Sequence, residues 1–161
     1  MVRVSLKMSE AGLTVAGLFY HPKLKQPRVV EFVVDTGASL TMISPKDQVH
    51  LGIDPVALNL PRSKRKIWTM GGTAPSFALH DCLVCLFDDK DNDKRMDLEL
   101  AEVDLLERSP RAPSQKGGRH EADRLKILDN VPSIIGRDVM KAQRLSLHID
   151  YGKETAYLEK D

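Results

Sequence analysis

The sequence predicts a mainly β protein with one or two short helices, and three observations predict it. Apolar and polar residues alternate along most of the chain, as at Val2, Val4 and Leu6 or at Leu145, Leu147 and Ile149; this is the two-residue period of a strand with one face buried. Turn-forming clusters such as Asp150-Tyr151-Gly152-Lys153 separate these runs. Only two stretches carry helix signals, Ser44 to Asp47 and Asp138 to about Gln143. With 161 residues the chain has the length of one domain, read here as 1–161.

The elements follow in order. Val2 to Leu6 marks a first strand and Leu13 to Tyr20 a second. A loop bounded by Pro22 and Pro27 leads to a third at Val29 to Val34, apolar on both faces except at Glu31, as suits a strand at the centre of a fold. Asp35-Thr36-Gly37-Ala38-Ser39 breaks it, and Thr41-Met42-Ile43 resumes extended structure. Ser44-Pro45-Lys46-Asp47 then has the cap hydroxyl, first-turn proline and acid of a helix start. Lys66 to Leu79 reads as two strands around a Gly71-Gly72 turn, and Cys82 to Phe87 with Met96 to Val103 as a second pair joined by an acidic turn. Glu107 to Lys126 has two Pro, two Gly and many charges with almost nothing to bury, so it reads as a mobile surface loop. Val131 to Gly136, the short helix and a final hairpin from Leu145 to Leu158 complete the chain.

Composition excludes several classes. Lys plus Arg number 24 and Asp plus Glu 23, so a net charge of +1 gives no global case for nucleic acid. No apolar run approaches the roughly 20 residues of a membrane span, and Met1 to Lys7 alternates where a signal peptide would run unbroken. Two cysteines exclude a disulfide scaffold. The expectation is a cytoplasmic protein with no membrane and no nucleic-acid partner. Metal sites are set aside as well. Asp89, Asp91 and Asp93 mimic a calcium loop, but Lys94 and Leu100 stand where Gly and Glu are required. His120-Glu121 lacks the second His of a zinc helix, because Arg124 follows. Cys82 and Cys85 face opposite sides of a strand and have no second pair. The basic run Arg62-Ser63-Lys64-Arg65-Lys66 reads as a solvated loop entering the hairpin.

Chemistry points to Phe32-Val33-Val34-Asp35-Thr36-Gly37-Ala38-Ser39. Apolar residues deliver Asp35 to the end of a buried strand, where an ionised carboxylate is costly without partners. Thr36 adds a hydroxyl able to brace neighbouring backbone, and Gly37, lacking a Cβ, lets another chain approach closely. Much later comes Ile134-Ile135-Gly136-Arg137-Asp138, two apolar residues and a glycine before a helix, with Ile67-Trp68-Thr69-Met70-Gly71-Gly72-Thr73 between the two motifs.

In this order of motifs the chain resembles the retroviral-type (retropepsin-like) aspartic proteases, whose pattern is D-T-G-A, a glycine-tipped hairpin and I-I-G-R before a helix. The resemblance implies a single-lobe acid-protease barrel assembled as a two-fold homodimer, acting as an aspartic endopeptidase on peptide or protein substrates with no cofactor and no metal. Asp35 would be the catalytic carboxylate, supported by Thr36, Gly37, Ala38 and Ser39. Trp68, Met70, Gly71, Gly72 and Thr73 would form the flap, and Ile134, Ile135, Gly136 and Arg137 the second motif. No second D-T-G or D-S-G occurs, so the mate of Asp35 would come from another copy across a two-fold axis. The sequence also departs from the viral pattern. Ser39 stands where viral members usually carry the acid that pairs with the second-motif Arg, so Arg137 must find another partner. Ser39 resembles instead the D-T-G-S/A-S of pepsin-like enzymes, where a hydroxyl supports the outer carboxylate oxygen. The alternative function is a catalytically silent dimerisation or peptide-binding module of the same fold.

Overall fold

The computed structural model describes residues 1–69, 72–88, 91–108 and 118–161. Its strands are β1 (Val2–Ser9), β2 (Gly12–Tyr20), β3 (Arg28–Val34), β4 (Met42–Ile43), β5 (Ile67–Thr69), β6 (Gly72–Ala74), β7 (Ser76–Asp88), β8 (Asp91–Leu106), β9 (Ser133–Ile135), β10 (Leu145–Asp150) and β11 (Thr155–Lys160). The helices are α1 (Pro45–Leu51), α2 (Gly118–Asn130) and α3 (Arg137–Ala142). None of them is long and apolar enough to cross a membrane, among the described residues.

Six strands close a barrel in the order β2-β3-β9-β4-β8-β7, with β7 returning to β2. Closure works because one edge of β2 serves two partners. Gly12 to Thr14 pair with β1, and Ala16 to Tyr20 pair with β7. Inside, Val4, Phe19, Phe32, Leu86, Leu98, Leu105, Ile135 and Leu158 are almost wholly removed from water. Gly17 faces this core so closely that a Cβ there would lie 2.8 Å from Val84. Outside the barrel, β1, β11 and β10 extend the sheet, which leaves β10 at an open edge. The C-terminal segment is therefore a whole hairpin, as the alternation predicts.

Helix α1 starts as its sequence predicts: Ser44 Oγ accepts from the Asp47 amide and Pro45 occupies the first turn. Its end uses Gly52 in the left-handed region, φ 71°.

Three readings change. The stretch 107–126 is not loop throughout, because α2 begins at Gly118; residues 109–117 lie outside the described residues. Leu128 is buried and Leu125 packs beside it in a second cluster with Met42, Ile67, Ala74 and Leu106. Two apolar residues three apart are enough to seat a helix when a ready-made surface receives them, but too few to announce one. The same helix makes a third, where one or two were expected. Finally, the second middle pair is longer than expected: β7 starts at Ser76 and runs on through Asp81 at φ 58°, so residues 76–79 belong to it and not to the first pair, which is β5 with β6. The sequence break at His80-Asp81 marks a bend within one strand.

Candidate active site

Asp35 stands where β3 ends. The parallel pairing of β3 with β9 sets Val34 beside Ile135, and the Asp35 amide donates to the Ile135 carbonyl at 3.1 Å. The chain then turns back on itself. Gly37 N–H donates to Asp35 Oδ1 at 2.8 Å, and Ala38 N–H donates to the Asp35 carbonyl at 3.2 Å. The two motifs are tied by backbone: Arg137 N–H donates to the Ala38 carbonyl at 2.9 Å and Asp138 N–H to the Ser39 carbonyl at 3.3 Å. Gly136 is needed for this approach, because a Cβ there would lie 2.5 Å from the carbonyl carbon and oxygen of Leu40.

Asp35 opens onto a cleft of about 270 Å³ whose walls include Leu40, Met42, Ile67, Trp68 and Ile134. Asp35 is the one carboxylate among the described residues lining it. Trp68 is 75% exposed on β5 and faces the cleft from the hairpin side. Across that hairpin Trp68 pairs with Thr73 and Thr69 with Gly72. Gly72 is thus a strand residue rather than half of the turn, and the expected tip residues Met70 and Gly71 lie outside the described residues. Thr36 and Ser39 are exposed, and both line a neighbouring groove of about 580 Å³ with Arg137, Met140 and Leu145.

The side chains of Asp35 and Arg137 have different surroundings. The oxygen of Asp35 that is held, Oδ1, is held by the Gly37 amide, and Ser39 makes no side-chain hydrogen bond to it. Arg137 is exposed and finds no side-chain partner among the described residues. The cation beside the motifs is instead Arg65, from the basic run that reads as solvated. Arg65 Nη2 lies 2.5 Å from Asp104 Oδ2, Nη1 is 3.3 Å from Asp138 Oδ2, and Nε is 3.4 Å from Glu102 Oε1. Asp104 is fully buried, and an unpaired carboxylate there would be costly, so a cation is required. Two other members of the run are also engaged. Arg62 pairs with Glu107 and stacks 4.2 Å from the Phe77 ring, and Ser63 Oγ accepts from the Arg65 amide at 3.1 Å. Sequence reasoning missed Arg65, Asp104 and Thr41. The available signal was an acid inside the apolar run Val103-Asp104-Leu105-Leu106, which must be buried and therefore paired.

Among the described residues no group of three or more His, Cys, Asp and Glu side chains could hold a metal ion. Cys82 and Cys85 are free thiols, and burial pushes that of Cys82 up to about 12.

Known proteins resemble the chain at both levels. Residues 22–78, which contain the Asp35 loop and the β5–β6 hairpin, match the family described as "Aspartyl protease". In fold the chain is similar to a retropepsin-like aspartic protease from Rickettsia conorii, at 16% identity over 97% of this chain and 89% of that one, with a TM-score of 0.53. EIAV protease, solved with the inhibitor HBY-793, shares 16% identity over 84% of this chain and 91% of its own, with a TM-score of 0.41. No curated protein sequence matches. The aspartyl protease likeness thus covers the Asp35 loop and the β5–β6 hairpin, and the barrel that carries them has the fold of a retropepsin-like protein.

Proposed function

We propose that the protein is an endopeptidase whose catalytic pair is formed by Asp35 of two copies related by a two-fold axis. The observation that carries this reading is that Asp35 is the one described carboxylate of the cleft, so a single chain supplies half of an acid–base pair. Two carboxylates about 3 Å apart cannot both ionise, so they share a proton and titrate as a pair. The ionised member takes a proton from a bound water, which attacks the peptide carbonyl. The protonated member polarises the carbonyl oxygen and then helps protonate the leaving nitrogen.

The supporting residues take roles around this step. Thr36, exposed at the loop, braces the two Asp35 loops across the axis, and Gly37 offers its carbonyl to substrate. A peptide lies in the cleft as an added strand, against the apolar walls Leu40, Met42 and Ile134 and beside Trp68 of the β5–β6 hairpin. The groove from Thr36 to Leu145 and the open edge at β10 are the surfaces available to the second copy.

The test is digestion of a peptide library at several pH values, with and without a peptide mimic bearing a central hydroxyl, followed by mixing wild type with Asp35→Asn chains. After partial denaturation and refolding, an equal mixture should keep about a quarter of the activity if two wild-type chains are needed, and about half if each chain is complete. A linear dependence on the wild-type fraction would refute the shared pair. A hydroxyl mimic that binds no more tightly than a substrate-like peptide, with no cleavage, would favour the silent module instead.

A further inference from the structure

Arg65 lies two residues before β5 and Ser76 opens β7 two residues after β6, so both stems of the hairpin over the cleft meet the same buried side chain. Arg65 Nη2 pairs with Asp104 Oδ2 by charge, without the alignment of a hydrogen bond, and Ser76 Oγ donates to Asp104 Oδ1 at 3.0 Å. From there the contacts run to the Asp35 loop by two routes. The Asp104 amide donates to the Thr41 carbonyl at 3.2 Å. Arg65 also donates to Asp138 Oδ2, whose other oxygen accepts from Thr41 Oγ1 at 2.7 Å. Thr41 Oγ1 in turn accepts from Gly136 N–H at 2.9 Å, and the next amide, that of Arg137, holds the Ala38 carbonyl. A guanidinium suits this place because its fork can serve several carboxylates at once, which an ammonium cannot do in fixed geometry.

We propose that Arg65 and Asp104 are a positioning pair for catalysis: they fix the hairpin stems and the Asp35 loop to one another, in the role that the motif leaves to Arg137. The pair touches no substrate and acts through Asp138, Thr41 and Gly136. Neither the aspartyl protease pattern nor the second motif assigns this role to a residue of the 62–66 run. The proposal rests on the peptidase reading above for its effect on turnover, but its structural half stands apart from that reading.

The test uses Arg65→Met, the double variant Arg65→Met/Asp104→Asn, and Arg65→Lys, in the full chain. The double variant removes the cation together with the charge it neutralises, so it should melt close to wild type even where Arg65→Met alone does not fold. If the pair positions the loop, kcat in the double variant falls by about tenfold or more while KM changes by less than about threefold. Amide exchange at Gly136 and Arg137 should rise by about tenfold. Arg65→Lys, with charge but no fork, should fall between wild type and the double variant. Wild-type kcat and wild-type amide protection in the double variant would overturn the proposal. Should the double variant fail to fold, Arg65→Lys with unchanged kcat and protection would overturn it equally. If wild type itself cleaves nothing, the peptidase reading fails, and amide exchange alone decides the positioning role.

Discussion

Two arginines lie near the same loop and have opposite fates. Arg137 belongs to the second motif, yet its side chain points to solvent with no partner among the described residues. Arg65 belongs to a run of four basic residues and a serine that looks like ordinary surface, yet it sits among Glu102, Asp104 and Asp138. The difference lies in the carboxylates. Position 39 carries Ser, so nothing near Arg137 demands a cation, while position 104 carries a fully buried Asp that does. A charged residue is placed by the counter-charge that folding buries, and its own motif does not guarantee one.

The comparison can be tested at both ends. Asp35→Asn should have the largest effect, a loss of peptide turnover of about a hundredfold or more, with melting temperature retained. The amide cannot serve as general base, and residual turnover above that level would remove Asp35 from the chemistry. Next comes Arg65→Met, which leaves Asp104 buried beside Ser76 alone. Urea unfolding at fixed protein concentration should show a loss of about 3 kcal/mol. Gly136→Ala should follow at about 1–3 kcal/mol, because its Cβ would press on the Leu40 carbonyl and force the two motifs apart. Its turnover should fall more than its stability suggests, since the displaced backbone is that of the Asp35 loop. The smallest effect belongs to Arg137→Met, within about 0.5 kcal/mol of wild type in the same unfolding experiment. Equal losses for the two arginines would break the comparison.

The site was legible where chemistry and local structure coincide. Asp35-Thr36-Gly37 interrupts an apolar strand, and Gly136 follows two more apolar residues, so both could be read without knowing that they meet. Helix α1 was legible from Ser44, Pro45 and Asp47 because capping is settled within one turn. Helix α2 was not, because among its described residues the inward face is little more than Leu125 and Leu128, and it gains its place from the surface offered by Met42, Ile67 and Leu106. The length of β7 was hidden in the same way. Asp81 in the left-handed region looks like a chain break, and only the partner strand β8 shows that pairing continues on both sides of it.

By itself the sequence determined the β character, the strand that carries Asp35, the glycines on which the two motifs depend, and the single Asp-Thr-Gly per chain. These are local properties: period, turn chemistry and the absence of a Cβ act over a few residues. Tertiary structure alone decided that β7 closes on β2, that α2 packs under the cleft, and that Arg65 rather than Arg137 neutralises the acids beside the site. Each of these depends on which distant groups share a buried space. There, unmet hydrogen bonds and unpaired charges cost far more than they do in water.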